Sequence, residues 1–125
     1  MAVIALYAIF LCPTAVSMKS PDEYGYNECE LTAKDFHNEF GGSLVFIQPL
    51  KTNGAYDLSD YGGHFINKRY VSGNKQEFFF DGGIQKIFSS QEEMETWYED
   101  IYFGTKVETF ELDKRYPPFG IIWRY

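Results

Sequence analysis

Apolar residues run unbroken from Ala2 to Leu11, gather into short blocks between Ser43 and Phe88, and recur at helical spacing from Met94 to Tyr102. The first run lacks alternation, which reads as a strand covered on both faces and ended by Cys12-Pro13. A secretory signal is the competing reading, with Ala15-Val16-Ser17 as its cleavage site, but no Lys or Arg precedes the run. Residues 1–17 are therefore expected to form a retained N-terminal core strand, with a cleaved signal peptide as the alternative. The run is about half the length a bilayer demands, so no transmembrane anchor is expected.

Beyond a polar connector, "LTAKDFHNEFGG" predicts a short helix, capped by Thr32, closed by Gly41, and facing the core with Phe36 and Phe40. "SLVFIQPL" is a strand stopped by Pro49, and a loop follows through "KTNGAYDLSDYGG". Residues 64–88 read as a β-meander turning at Ser72-Gly73-Asn74 and Asp81-Gly82-Gly83. "SSQEEMETWYEDIYFG" is the strongest helix, capped by Ser89 or Ser90 and ended by Gly104. "TKVETFEL" and "FGIIWRY" are closing strands. The expectation is one α+β domain over residues 1–125, a mainly antiparallel sheet with two helices, the C-terminal one amphipathic and acidic.

Charge sharpens the picture. The 125 residues carry a net charge of −7 with a pI near 4.7. That disfavours direct binding to nucleic acid or to anionic lipid, both of which call for basic surface. Residues 90–113 hold eight acids against Lys106 alone, while the rest of the chain balances ten acids with ten bases. The whole net charge thus belongs to one helix and the strand after it. At helical spacing Met94, Trp97, Tyr98, Ile101 and Tyr102 share an arc expected to dock on the sheet, leaving Glu92, Glu93, Glu95, Glu99 and Asp100 in solvent. Glu92 and Glu93 suit the positive end of the helix dipole, whereas Glu99 and Asp100 oppose its negative end without a base on the helix to offset them.

That unexplained acidity points to a docking surface for a basic protein. The sequence reading is a cytoplasmic, non-catalytic inhibitor of the immunity-protein, antitoxin or phage-encoded kind. It would neutralise a basic toxin, nuclease or other nucleic-acid enzyme through Glu92, Glu95, Glu99, Asp100, Glu108 and Glu111. It is expected to be a monomer or weak dimer. Neutralising Glu95, Glu99 and Asp100 is expected to leave the melting temperature equal or slightly higher.

Two alternatives stand beside it. One is a secreted or periplasmic binding protein lacking residues 1–17. The other is a small-ligand binder or enzyme using His64, Lys68 and Arg69, which are close together in sequence and able to clamp a phosphate or carboxylate. No cofactor or metal is expected: in "DFHNE", Asp35 and Glu39 share a helix face while His37 points away. Cys29 lies before the predicted helix and lacks a basic sequence neighbour, so it is not expected to act as a nucleophile. Cys12 and Cys29 could bridge only in an oxidising compartment.

Overall fold

Two helices cover the two faces of a five-stranded antiparallel sheet in the computed structural model, which describes residues 29–58, 63–73 and 75–121. In chain order the elements are α1 (Cys29–Phe40), β1 (Ser43–Pro49), β2 (His64–Val71), β3 (Gln76–Asp81), β4 (Lys86–Phe88), α2 (Gln91–Ile101) and β5 (Val107–Glu111). The sheet runs β4-β3-β2-β1-β5, so β1 to β4 form the meander and α2 carries the chain back to place β5 beside β1. The fold is α+β. The expected strand or signal over residues 1–17 lies outside the described residues.

Alternation along the strands sorts the core into two layers. Val45, Ile47, Ile66, Phe79 and Phe88 pack with Met94 and Tyr98 of α2. The intervening positions turn toward α1: Phe36 meets Val71, Phe78, Phe80 and Ile87, and Ala33 meets Phe46, Phe65 and Phe110. Phe36, Phe80, Phe88 and Phe110 are fully enclosed, each burial worth about 1.5–3 kcal/mol.

Three expectations need correction. First, α1 begins at Cys29, ahead of the predicted cap, and Thr32 is buried within it. Cys29, Ala33, Phe36 and Phe40 follow one another at steps of four, three and four, so the inward face reaches back to the cysteine. Second, the arc of α2 docks only in part: Met94 and Tyr98 are buried, but Trp97 and Ile101 remain 39% and 48% exposed. The edge strand β4 beneath Trp97 has three residues, too few to cover it. Third, Phe119–Ile121, read as part of a closing strand, belong to no strand; Phe119 and Ile121 pack against the Phe46 and Phe110 cluster.

The cap of α2 is Ser90, whose hydroxyl accepts from the Glu93 N–H at 3.1 Å. Glu93 reaches back to accept from the Ser89 N–H and hydroxyl at 3.1 and 2.7 Å, a reciprocal arrangement that starts the helix at this position. No described helix is long and apolar enough to cross a membrane.

Candidate functional site: a cysteine, histidine and aspartate in series

β2 and β3 are antiparallel, so the first residue of one and the last of the other meet at the same end of the sheet. Asn67 pairs with Phe80 and Lys68 with Phe79, which makes His64 and Asp81 diagonal neighbours on one face. Their side chains close the gap: His64 Nε2 lies 2.6 Å from Asp81 Oδ2. Asp81 is held from every side. Its Oδ1 accepts from the N–H groups of Gly83 and Ile84 at 3.0 and 3.4 Å, and its Oδ2 accepts from the Tyr98 hydroxyl as well as from His64.

Helix α1 brings Cys29 within hydrogen-bonding reach of the same imidazole. Asn67 of β2 donates to the Ala33 carbonyl at 2.8 Å, pinning the helix to the sheet. A side chain at Gly82 would bring its Cβ within 2.8 Å of Thr32 Cγ2, so this glycine permits the close approach of α1 to the turn after Asp81. Gly63, immediately before His64, has no room for a side chain because a Cβ would overlap the Phe46 ring. Cys29 is a free thiol, partly exposed, hydrogen-bonded to His64 and to the Phe65 backbone.

The charges follow from these contacts. Burial alone would raise the Cys29 thiol, but the hydrogen bond and charge of His64 and the Phe65 backbone bond more than reverse it, so its pKa falls below the ordinary 9.0. Burial works against a charged His64 too. The hydrogen bonds to Asp81 and Cys29 overcome it and push the imidazole up to about 10. Asp81 also resists desolvation and stays below its ordinary value, chiefly through His64 and then Tyr98. At neutral pH the ring is therefore an imidazolium, backed by a buried carboxylate and drawing the neighbouring thiol below its ordinary value. Accessibility is graded along the series: the His64 side chain is 23% exposed and the Asp81 side chain 3%.

No protein family, curated protein or solved structure matches the chain. The site's chemistry therefore has to be argued from its own atoms. Among the described residues no three His, Cys, Asp or Glu side chains converge on a metal position.

The residues chosen from the sequence are placed differently. His64 joins the series, but Lys68, about 13 Å further along β2, is taken up by Glu111 at 3.1 Å and Glu77 at 3.5 Å. Arg69 points to the other face, where its guanidinium lies over the Phe40 ring. The three therefore do not clamp a common ligand.

The acidic residues are largely engaged within the protein. Glu95 accepts from the Thr109 hydroxyl at 2.7 Å, and Glu99 bonds the Val107 N–H at 3.3 Å and pairs with Lys106 at 3.7 Å. Glu108 pairs with Arg115 at 2.9 Å, and Glu111 with Lys68 and Lys114. The side chains of Glu92 and Asp100 make no hydrogen bond or ion pair with another described residue. Glu99, which lacks an offsetting base on its own helix, finds one just beyond it.

Proposed function

We propose that the protein is a thiol-dependent acyl-transfer enzyme, a hydrolase or transferase, in which Cys29 is the nucleophile, His64 the general base and acid, and Asp81 the residue that orients His64. The observation that carries this reading is the cluster itself: a partly open thiol hydrogen-bonded to an imidazole whose Nε2 is fixed by a buried carboxylate. A nucleophile, its base and an orienting third group in this relation are the minimum that covalent acyl transfer needs.

The steps follow from the groups present. The Cys29 thiolate adds to the carbonyl carbon of an ester, thioester or amide, forming the carbon–sulfur bond as the carbonyl electron pair moves to oxygen. When that adduct collapses, the bond to the leaving group breaks and the His64 imidazolium supplies its proton to the departing atom. Neutral His64 then removes a proton from water or another acceptor, which attacks the acyl-thioester and releases the thiolate. Asp81 keeps the ring in register through both transfers.

The test uses generic probes. Iodoacetamide modification of Cys29, read by mass spectrometry of its peptide, should have a pH midpoint below that of an ordinary thiol. 4-Nitrophenyl acetate should give a burst of nitrophenolate matched by acetylation of Cys29. In His64→Ala the burst rate should fall by about two orders of magnitude, and the alkylation midpoint should return toward that of an ordinary thiol. Identical midpoints in the parent and His64→Ala would overturn the proposal.

The inhibitor reading is kept as a second proposal because of one observation. Trp97 and Ile101, expected to be buried, are exposed on the acidic helix, and exposed aromatic surface beside carboxylates is what a protein interface uses. It has less support, since four of its six proposed contact residues, Glu95, Glu99, Glu108 and Glu111, are engaged internally. Its test is salt dependence: association of a basic ribonuclease or a similar cationic protein should slow in Glu92→Gln/Asp100→Asn and lose salt sensitivity.

A further inference from the structure

The series does not stop at Asp81. Tyr98, buried in the middle of α2, donates its hydroxyl to the same carboxylate oxygen, Oδ2, that accepts from His64. The other oxygen is already committed to the Gly83 and Ile84 N–H groups, so the carboxylate cannot swing to offer His64 a less encumbered acceptor. Tyr98 itself has little freedom. Its ring packs 5.8 Å from Phe88 and 5.2 Å from His64, centroid to centroid.

Building on the thiol-catalysis reading, we infer that Tyr98 is a positioning residue that acts through Asp81: by sharing Oδ2 with His64, it limits how tightly the carboxylate grips the imidazole proton. The chemistry requires such a limit. His64 must surrender a proton to the leaving group, and a carboxylate with no other donor on that oxygen would hold the imidazolium too firmly to act as an acid. A second donor withdraws electron density from Oδ2 and weakens the competing bond. The device also explains why a phenol, and not the Phe that would fill the same space, is buried in this core, because a buried hydroxyl needs a partner and here its partner is the orienting carboxylate.

Among the described residues the titratable groups that bear on His64 are few, which makes the effect measurable. They are Asp81 from β3, Cys29 from α1 and Tyr98 from α2, with Tyr102, pushed up to about 12 by burial and by the charges of Cys29 and Asp81, close to the last three. Both tyrosines stay neutral through the range in which His64 titrates.

The experiment is a proton NMR titration of the His64 ring in the full chain, which has His37 as its only other histidine. Tyr98→Phe should raise the His64 midpoint by about half a pH unit or more. A purely structural hydroxyl predicts otherwise: Asp81, losing a tether, would leave the midpoint unchanged or lower it, and either result overturns the inference. Replacing Tyr98 by 3-fluorotyrosine provides a second test that preserves the fold. Its more acidic phenol is a stronger donor, and the midpoint should fall. The two readings are separable. Ordinary Cys29 reactivity in the parent would remove the catalytic proposal, whereas a reactive Cys29 with an unmoved His64 midpoint in Tyr98→Phe would remove only the role of Tyr98.

Discussion

Asp81 commits both carboxylate oxygens to four donors inside the protein, and that commitment makes the neighbouring charges depend on one another. His64 has a raised pKa, so its contribution to stability is complete below 6.5 and is lost as the pH climbs through about 10. Cys29 has a depressed pKa and behaves oppositely: its contribution is complete above 9.0 and is lost as the pH falls through its folded value. In the parent the second trend counters the first. Cys29→Ser should therefore lose melting temperature relative to the parent by an amount that widens as the pH rises toward 9. Thermal scans of both proteins across that range check it, and a gap independent of pH would mean that the thiol is never charged. None of this was legible from the sequence, because the three residues are separated by 35 and 17 positions and only the sheet register brings them together. One local signal was available. Extending the inward period of Ala33, Phe36 and Phe40 back by one turn places Cys29 on the helix face that packs against the sheet.

At the scale of elements, the patterns that alternate or carry turn residues were readable and the contacts between elements were not. Strands β1 to β5 follow from short apolar blocks bounded by Pro49, Ser72-Gly73 and Asp81-Gly82. The incomplete docking of α2 was hidden because helical spacing shows which residues share a face, not how far the sheet extends beneath them. Gly63 is the sharpest case of a contact that only the packing reveals. It looked like one of several turn glycines, yet it lies against Phe46, whose ring is wedged against Phe65 at 4.9 Å and Phe119 at 6.3 Å. Gly63→Ala should destabilise the protein by about 1–3 kcal/mol, measured by urea unfolding. It should also slow iodoacetamide modification of Cys29 in the folded state, because displacing the entry to β2 moves His64. Gly41→Ala, where a side chain meets no neighbour but φ is +75°, should cost stability through backbone strain alone and leave Cys29 reactivity unchanged.

Over the whole molecule the concentration of negative charge in residues 90–113 is real, but the fold gives much of it internal work. Glu95 and Glu99 tie α2 to β5 through Thr109, Val107 and Lys106, so the carboxylates help to hold the crossover that returns the chain to the far edge of the sheet. The sequence could register the opposing charge at the helix end; it could not show that the strand after the turn would come back to meet it. This changes the outcome expected for neutralisation. Glu95→Ala and Glu99→Ala should each lower stability, by about 0.5–1.5 kcal/mol for a partly buried hydrogen bond. Asp100→Ala should leave stability equal or slightly higher, since its carboxylate opposes the helix dipole without a described partner in return. Urea unfolding of the three single variants separates these effects, where the combined variant would blur a loss at two positions with a gain at the third. Equal stability in all three would return the acids to a solvated face and leave them available for a basic partner. The predicted pattern, loss at Glu95 and Glu99 but not at Asp100, assigns those two carboxylates to fastening α2, and Tyr98 with it, to β5, and so to keeping Asp81 and His64 in place.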